Sequence, residues 1–311
     1  MPDVVSLGSV NVDLVARLTG TELAELSARH DWFPSPDETV AVEDVPGEIE
    51  AFVDRTLVGG KGANQSVAAA RAGADTAFRG RVGRDQEAYG VLDTLAGRGV
   101  DVSGVEETDA ETGKAYVFVE PSGENRIAIV EGANGAVDAA YVHRHREAIL
   151  EADCLLLQNE IPAGPVEELL ESLADAPDAP TVIVDPAPPV GAAPLLEYDS
   201  VDIVTPNAHE YEVLRAEIDA FEGTVVRTRG GQPALVRTPA EAFSVTPPDV
   251  TPVDTTGAGD VFGGYLAARL AAGEPLVGAV RVAAAAASLA TTAEGAQKAI
   301  PTMGVVEDIL E

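Results

Sequence analysis

A run of small residues between two aspartates is the part of this sequence best suited to chemistry. Residues 254–270 read DTTGAGDVFGGYLAARL, and the second half has the periodicity of an apolar helix. Free backbone N–H groups at a helix N-terminus attract anions, and Gly257, Ala258 and Gly259 leave room for one to approach. Asp260 then falls in the first helical turn. It is either an ordinary first-turn residue or a base that takes a proton from a hydroxyl attacking a phosphate.

A second glycine-rich stretch, VGGKGANQSVAAARAGADTAFRGRVGRD, covers residues 58–85. Its glycines lead into a predicted helix that begins near residue 63, and Lys61, Asn64 and Gln65 offer polar groups at the mouth of that helix. The spacing is neither that of a Walker A loop nor that of a Rossmann dinucleotide loop. From the residues alone, the stretch either binds a polyhydroxylated or anionic ligand on exposed backbone or is a structural turn.

The elements that would position these loops alternate between short apolar runs and helix-like segments. Apolar runs at 3–10, 154–161, 181–188, 201–207 and 224–231 each end in turn residues. Continuous apolar strands separated by helices predict a parallel sheet that is covered on both faces. The predicted fold class is therefore α/β, with a doubly wound, mainly parallel sheet flanked by helices. Its ligands are expected at the carboxyl ends of the strands.

Three segments depart from that alternation and predict a small antiparallel β lid inside a single domain that spans residues 1–311. Residues 112–131 alternate in the strand period around PSGEN, and residues 10–18 and 38–58 also have extended character. Such a sheet could cover a site, form a homodimer contact through its exposed edge, or be a peripheral hairpin.

The charge of the chain is strongly negative. The sequence has 52 acidic residues against 20 basic ones, a formal net charge of −32 and a pI of about 4.2. The excess is spread along the chain in single residues and short clusters, which is typical of a solvating surface in a concentrated salt cytosol. We therefore expect a halophilic source that accumulates potassium salts. The sequence has no basic stripe to bind a phosphate backbone, which disfavours nucleic acid as a partner.

The sequence also predicts a cytoplasmic location. It contains no apolar run of about 18 residues or more, so no membrane span is expected. The N-terminus indicates a first strand and not a signal peptide, so we expect the mature protein to begin here. Cys154 is the single cysteine, which excludes an internal disulfide and agrees with a reducing compartment.

Both glycine-rich stretches resemble the signature patterns of the ribokinase-like, or PfkB, family of carbohydrate kinases. GGKGANQSVAAARAG is similar to the N-terminal pattern and DTTGAGDVFGGYLAARL to the C-terminal one. Shorter landmarks follow in the family's order, namely GSVNVDL (8–14), QNEIP (158–162), VDPAP (184–188) and TPNAHEYE (205–212). The resemblance covers essentially the whole chain and implies transfer of a phosphoryl group from ATP to a sugar, first of all ribose. A kinase for a nucleoside, fructose phosphate or sugar acid, and a non-catalytic sugar-binding protein, remain as alternatives.

On this chain the resemblance implies a sugar site next to the anion-binding loop. Asn11 and Asp13 would bind sugar hydroxyls from one side, and Glu160 would close the pocket. Asp260 would be the base for the sugar 5-hydroxyl, and the backbone N–H groups of residues 257–259 would stabilise charge on the transferred group. The sugar would be held from the other side by Gly59, Gly60, Lys61 and Asn64.

The same resemblance implies ATP, Mg²⁺ and an activating K⁺. Glu210 in the NAHE motif would organise Mg²⁺ and the phosphates through water, although the motif by itself also fits a helix N-cap followed by a solvated glutamate. The implied nucleotide residues are Asn207, Glu210, Thr228, Arg229, Gly230, Gly231, Gly259 and Ala284. The implied oxygen ligands of K⁺ come from Asp254, Thr256, Ala290, Ala293 and Gly295.

The sequence departs from the family's pattern at two places. Only 20 residues separate Asn207 from Thr228, and Pro233 stands where the last glycine of a T-x-G-x-x-G segment is expected. This departure predicts intact phosphate handling with relaxed or altered recognition of the base. The segment 18–40 is longer than a compact member of the family would use. Its Trp32–Phe33 pair could pack in the lid, meet a second subunit or shape a pocket for a larger substrate.

Overall fold

The computed structural model describes residues 1–36, 38–120 and 124–311. The strands are β1 (Val4–Leu7), β2 (Asn11–Arg17), β3 (Thr39–Val42), β4 (Arg55–Gly59), β5 (Thr76–Arg79), β6 (Arg81–Gly83), β7 (Val100–Asp101), β8 (Glu106–Thr108), β9 (Gly113–Val119), β10 (Asn125–Val130), β11 (Cys154–Gln158), β12 (Thr181–Asp185), β13 (Ile203–Val204), β14 (Thr224–Arg229), β15 (Gln232–Arg237) and β16 (Ala242–Val245).

Helices lie between most of the parallel strands along the chain, so these strands are joined by crossover connections. They are α1 (Gly20–Arg29), α2 (Gly47–Glu50), α3 (Lys61–Arg71), α4 (Gln86–Tyr89), α5 (Val91–Ala96), α6 (Ala139–Leu150), α7 (Ala163–Ala174), α8 (Ala208–Val213), α9 (Arg215–Ala220), α10 (Ala258–Ala271), α11 (Leu276–Ala290) and α12 (Met303–Leu310). Short 3₁₀ turns cover Gly132–Ala136 and Ala193–Glu197.

The main sheet has nine strands in the order β16-β15-β14-β13-β12-β11-β1-β5-β7. The strands from β7 across to β14 are parallel, while β15 and β16 add an antiparallel edge. The chain builds one side of the sheet from β1 through β5 and β7, then returns to build the other side from β11. This reversal beside β1 creates the crevice at which open α/β sheets bind ligands. The predicted α/β fold class is confirmed.

Both faces of this sheet are buried, because alternate residues of each strand enter separate apolar clusters. Val4 and Leu156 belong to a cluster that includes α3, α10 and α11. Val5 and Leu155 belong to a second cluster that includes α6 and α7. A parallel sheet buried on both sides explains why its strands appear in the sequence as continuous apolar runs.

Helices α3 and α10 cross in close contact over the first face. A Cβ atom placed on Gly264 of α10 would lie 2.3 Å from the backbone oxygen of Gln65 and 2.5 Å from the Cβ of Ala68. The absence of a side chain at this position therefore lets the two helix backbones approach. This contact fixes the two glycine-rich segments of the sequence against each other.

A second sheet has five strands in the order β3-β10-β9-β2-β4 and contains the segments predicted as a lid. The pairs β2–β4 and β9–β10 are antiparallel, as the hairpin pattern indicated. The pairs β2–β9 and β3–β10 are parallel, so the sheet is mixed. The predicted PSGEN turn covers residues 121–125, of which 121–123 lie outside the described residues, as does Asp37 in the segment 18–40.

The long segment after β2 forms α1 and packs an aromatic pair inside this second sheet. Phe33 is only 8% exposed, and its ring centroid lies 4.8 Å from that of Phe118 on β9. Trp32 stacks at 6.0 Å from Phe33. These contacts favour packing in the lid over the other two interpretations of the pair.

The second sheet joins the main one through residues that are close together in space. Asn11 at the start of β2 pairs with Gly59 at the end of β4, and on its other side with Gly113 at the start of β9. Gly60 follows with φ of 89°, and a Cβ there would lie 2.7 Å from the Cα of Val10. The β1–β2 and β4–α3 connections thus cross in van der Waals contact.

Within residues 1–36, 38–120 and 124–311, no helix combines the length and apolar content needed to cross a membrane.

Candidate active site

Helix α10 begins at the predicted glycine loop, and its first turn carries Asp260. Gly257 precedes the helix in the left-handed conformation with φ of 77°, and a Cβ there would lie 2.8 Å from that of Ala296. Both restrictions favour glycine at this position. The Ala258 N–H donates to the Thr255 carbonyl at 3.2 Å, and the Asp260 carboxylate is buried at the start of α10, at 5% exposure.

The two oxygens of the Asp260 carboxylate have different partners. Asn64 Nδ2 donates a hydrogen bond of 2.8 Å to Asp260 Oδ2. Gln297 Nε2 in turn donates to Asn64 Oδ1, also at 2.8 Å. Lys61 Nζ lies 3.9 Å from Asp260 Oδ1. One oxygen is therefore fixed by an amide, while the other faces a cation.

Strand β2 supplies Asn11 and Asp13 to one side of this carboxylate. Residues two apart on a strand share a face, so Val12 enters the core while Asn11 and Asp13 point the other way. Asn134 Nδ2 donates to Asn11 Oδ1 at 2.8 Å and holds that amide in place. A Cβ on Gly59 would lie 2.1 Å from Asp13 Oδ2, so the glycine leaves the space that the carboxylate occupies.

Glu160, two residues beyond β11, reaches the same region. Its Oε2 accepts a hydrogen bond from the Ser9 hydroxyl and one of 3.2 Å from the backbone N–H of Lys61. The carboxylate thus bridges the β1–β2 connection and the start of α3. It lies at the crossing of the two connections between the sheets.

The carboxyl groups of this region affect one another's ionisation. Burial raises the pKa of Asp13 to about 7, and the charges of Glu160 and Asp260 act in the same direction. Burial also raises the pKa of Glu160, although Lys61 opposes the effect. Asp13 consequently changes its charge near neutral pH.

Lys61 stays charged in spite of being enclosed. Burial acts against its charge, but the carboxylates of Asp260, Asp185 and Glu160 outweigh burial and raise the pKa of the ammonium group. The side chain is 30% exposed, so it can reach the adjoining cavity while remaining paired.

A cavity of about 140 Å³ lies on the other side of Asp260, at the carboxyl ends of β12, β13 and β14. This volume suits one transferred group and not a whole nucleotide, because a water molecule alone takes about 30 Å³. Lys61 is the one basic side chain among the described residues that line the cavity. The lining consists of Lys61, Asp185, Thr205, Asn207, Glu210, Thr228, Thr255, Gly257, Ala258, Gly259, Asp260 and Phe262.

Asn207 and Glu210 form a capping box at the start of α8. Asn207 Oδ1 accepts from the N–H of Glu210 at 2.9 Å, and Glu210 Oε2 accepts from the N–H of Asn207 at 2.7 Å. Burial raises the pKa of Glu210, whose exposure is only 6%. The helix cap expected from the motif is present, but the glutamate is buried at the cavity and is not a solvated one.

Asp254 ties the glycine loop to the segment after α11. Its carboxylate accepts hydrogen bonds of 2.9 Å from the N–H groups of Thr256 and Gly295. Burial acts to raise the pKa of Asp254, but these hydrogen bonds outweigh it and lower the pKa. Ala290 ends α11 nearby, where the last helical carbonyls lack intrahelical partners, and Ala293 lies between Ala290 and Gly295.

Comparison with known proteins identifies the family. A model described as pfkB family carbohydrate kinase matches residues 50–303. The chain is also 37% identical over 265 residues to ribokinase from Bacillus subtilis (strain 168), covering 82% of this chain and 88% of that enzyme. The chain belongs to the pfkB family of carbohydrate kinases. Ribokinase from Schizosaccharomyces pombe is 34% identical to this pfkB-family kinase. The match covers 97% of this chain and 96% of the yeast enzyme.

Solved structures agree with this assignment. A ribokinase from Thermotoga maritima superposes on 100% of this pfkB-family kinase with a TM-score of 0.81 and 28% identity, and 99% of that chain is covered. Arabidopsis thaliana ribokinase complexed with ribose and ATP gives a TM-score of 0.76 at 27% identity, covering 100% of this chain and 99% of its own. The expected family and the expected carbohydrate kinase activity are confirmed.

Some residues predicted for the nucleotide lie away from the cavity of this pfkB-family kinase. Thr228 lines it, but Arg229, Gly230 and Gly231 form the exposed end of the β14–β15 hairpin. Ala284 is buried in the middle of α11 and does not line the cavity. A larger cavity of about 940 Å³ opens at the amino ends of β12, β13 and β14, which is the opposite edge of the sheet from Asp260.

Sequence reasoning gave no role to Asp185 of this pfkB-family kinase, and it named Gln65 only as a polar group at the start of a helix. Asp185 ends β12, lines the small cavity and is 7% exposed. Gln65 Nε2 donates to Asp185 Oδ2 at 2.9 Å, and Gln158 Nε2 donates to Gln65 Oε1 at 2.6 Å. Burial raises the pKa of Asp185 well above its ordinary value. The signal available was its place in VDPAP, directly after a buried strand at the ligand edge of the sheet.

Proposed function

We propose that this pfkB-family kinase is an ATP-dependent ribokinase, which converts D-ribose and ATP to D-ribose 5-phosphate and ADP. The observation that carries the proposal is the position of Asp260, between the polar face of β2 and the cavity at the N-terminus of α10. A base in this position can contact a sugar hydroxyl on one side and a phosphoryl group on the other. The relatives named as ribokinases support ribose as the sugar.

In the proposed reaction Asp260 takes the proton of the ribose 5-hydroxyl. The hydroxyl oxygen attacks the γ-phosphorus, and the bond from that phosphorus to the β-phosphate oxygen breaks to release ADP. The N–H groups of residues 257–259 would stabilise charge on the transferred group, because they lie at the start of α10. A general base of this kind contributes about 10² to 10⁴-fold to the rate.

Ribose would be held by side chains that converge in front of Asp260. Asn11 and the ionised form of Asp13 accept hydrogen bonds from neighbouring hydroxyls, since both lie on one face of β2. Glu160 and Asn64 approach from the crossing connections and from α3. Gly59 and Gly60 would hold the sugar through their backbone, and the lack of a side chain on Gly59 leaves room for the Asp13 carboxylate.

The cations implied by the family find suitable residues in this chain. In the part of the chain that the structure describes, no group of three or more His, Cys, Asp or Glu side chains is arranged to hold a metal alone. Glu210 and Asp185 line the same cavity, where Glu210 would organise Mg²⁺ and the phosphates of ATP through water. Oxygen atoms of Asp254, Thr256, Ala290, Ala293 and Gly295 would hold K⁺. When bound, these cations neutralise phosphate charge in front of the carboxylates.

We further infer that the chain is one kinase domain, with the second sheet as its lid over residues 10–18, 38–58 and 112–131. Strands β3 and β4 are the edges of that sheet, and we propose that two copies pair through the lid to form a homodimer. The net charge of −32 supports a salt-rich cytoplasm as the working environment and argues against nucleic acid as a partner.

The proposal is tested by substituting the base and measuring phosphoryl transfer from ATP with Mg²⁺ and KCl present. Asp260→Asn should lower kcat by about 10² to 10⁴-fold, with little change in sugar affinity, because it removes the proton acceptor while keeping the shape. Asp93→Asn is the matched control, since Asp93 lies exposed on α5. Wild-type turnover by Asp260→Asn would contradict the assignment of the base.

The substrate is tested with a panel of ribose, other sugars, sugar acids, fructose phosphate and nucleosides. We expect ribose to give the highest kcat/KM. A nucleoside or phosphorylated sugar preferred over ribose would overturn ribose as the substrate while leaving the kinase assignment in place. Absence of turnover with every member of the panel would favour a sugar-binding protein instead.

A further inference from the structure

Two series of hydrogen-bonded, buried amide side chains have the same arrangement, and each ends at a carboxylate of the site. The first runs Gln297–Asn64–Asp260 and the second runs Gln158–Gln65–Asp185. All six side chains are less than 8% exposed. The inner amides, Asn64 and Gln65, are consecutive residues of α3. The outer glutamines, Gln297 and Gln158, come from the segment after α11 and from the end of β11.

The direction of the donors in the first series follows from chemistry alone. An ionised carboxylate only accepts hydrogen bonds, so Asn64 must turn its Nδ2 toward Asp260. Its Oδ1 then faces Gln297, which must donate a hydrogen bond to this oxygen from Nε2. The carbonyl oxygen Oε1 of Gln297 is left buried without a hydrogen-bond partner within the described part of the chain, and Gln158 Oε1 is left in the same condition. An outer glutamine with an unpaired oxygen is not the arrangement that stability alone would favour.

This direction assigns different work to the two oxygens of Asp260. Oδ2 is occupied by the Asn64 amide, whereas Oδ1 has Lys61 Nζ at 3.9 Å and no amide donor. When the hydroxyl O–H bond breaks, the proton therefore goes to Oδ1 and the electron pair stays on the attacking oxygen. If the Asn64 amide were reversed, its Oδ1 would face the carboxylate and disfavour the ionised base.

We propose that Gln297 is a positioning residue that holds the Asn64 amide in the orientation required by the base. The proposal rests on the proposed function, since it gives Asp260 the role of the base. Gln297 lies in the segment that also donates the Gly295 N–H to Asp254 at 2.9 Å. The segment after α11 thereby contacts Asp254 directly and reaches Asp260 through Asn64.

The decisive substitution is Gln297→Glu, which keeps the shape but replaces the donor by an acceptor. A carboxylate at position 297 attracts the Nδ2 of Asn64 and turns its Oδ1 toward Asp260. We expect kcat to fall about 100-fold and the acidic limb of the pH–kcat profile to move to higher pH. Gln297→Met removes the hydrogen bond without reversing it, so kcat should fall about 10-fold, which corresponds to about 1.4 kcal/mol.

A double-mutant cycle separates positioning from general loosening of the structure. Once Asn64 is replaced by alanine, Gln297→Met should lower kcat no further, because Gln297 acts through Asn64. Gln86→Met is the matched control: Gln86 is a buried glutamine that donates to Glu107 Oε1 at 3.2 Å, away from the site. It should leave kcat and the pH profile unchanged.

The outcomes distinguish this proposal from the proposed function. If Asp260→Asn abolishes turnover while Gln297→Met and Gln297→Glu retain the wild-type kcat and acidic limb, the positioning role is rejected and the base assignment stands. Additive effects of Asn64→Ala and Gln297→Met would also reject it. If Gln297→Glu does not fold, the cycle with Gln297→Met still decides the question. Full activity of Asp260→Asn would instead reject the proposed function itself.

Discussion

Asp13 offers a sharp test of the electrostatics of the site, because its carboxyl group changes charge near neutral pH. Its pKa is 3.8 in the unfolded chain and about 7 in the folded one. Between these values the folded state binds more protons than the unfolded state, so stability falls as pH rises toward 7. Asp13→Asn keeps the shape and removes the titration. The variant should therefore be stabilised relative to the wild type at pH 8 and much less so at pH 5.

The size of the effect follows from the two pKa values. Linkage between pH 5 and pH 8 gives a loss of about 2.6 kcal/mol for the wild type. The carboxylate is only partly enclosed and salt screens its neighbours, so we expect about 1–2 kcal/mol to be observed. The stability of Asp13→Asn relative to the wild type should therefore be greater by this amount at pH 8 than at pH 5. Subtracting the stability of the wild type from that of the variant at each pH removes the contribution of groups that titrate in both proteins.

The measurement is urea unfolding of both proteins at pH 5 and pH 8, with Asp93→Asn, at an exposed position of α5, as the matched control. The same titration should affect the sugar, because the ionised carboxylate is the better acceptor for hydroxyls. The wild-type KM for ribose should fall as pH rises to about 7, and Asp13→Asn should lose this dependence. An equal stability difference at both pH values would refute the reasoning.

Two further predictions concern packing and charge. Gly264→Ala should destabilise the protein by about 1–3 kcal/mol, because its Cβ would meet α3 at 2.3 Å, whereas Gly263→Ala in the same helix has its nearest contact at 3.5 Å and should be tolerated. Equal urea midpoints for the two variants would show that α3 and α10 can move apart. Molar KCl should raise the melting temperature over low salt, because it screens a net charge of −32; equal or greater stability at low salt would contradict a halophilic adaptation.

The parts of the fold that follow from local pattern were predictable from the sequence. Continuous apolar runs predicted the buried parallel strands, and the glycines before a periodic segment predicted the start of α10 with Asp260 in its first turn. The hairpins of the lid were predicted for the same reason. Their parallel pairings, β2 with β9 and β3 with β10, were not, because they depend on how distant segments meet in space.

The interactions that tune the site depend on contacts that no local pattern records. Gln297 reaches Asn64 across 233 positions of sequence, and Asn64 reaches Asp260 across 196. The pKa of Asp13 depends on burial and on Glu160, which follows β11 in the other sheet. The position of Asp185 in VDPAP could be read from the sequence, but the burial of its side chain could not. The predicted base could be named from the sequence, whereas the partners that orient it could not.

The crossing of the two connections at Val10 and Gly60 has a mechanical consequence. The chain enters the lid at Asn11, leaves it at Gly59 and enters it again at Gly113, which pairs with Asn11. Asn11 and Gly59 border the proposed sugar site. Any rotation of the lid relative to the main sheet must be absorbed at these residues, so the pivot and the sugar-binding surface coincide. A bound sugar would then contact the pivot residues directly and would either push them apart or hold them in place. Substitutions that weaken sugar binding should therefore also change how freely the lid turns.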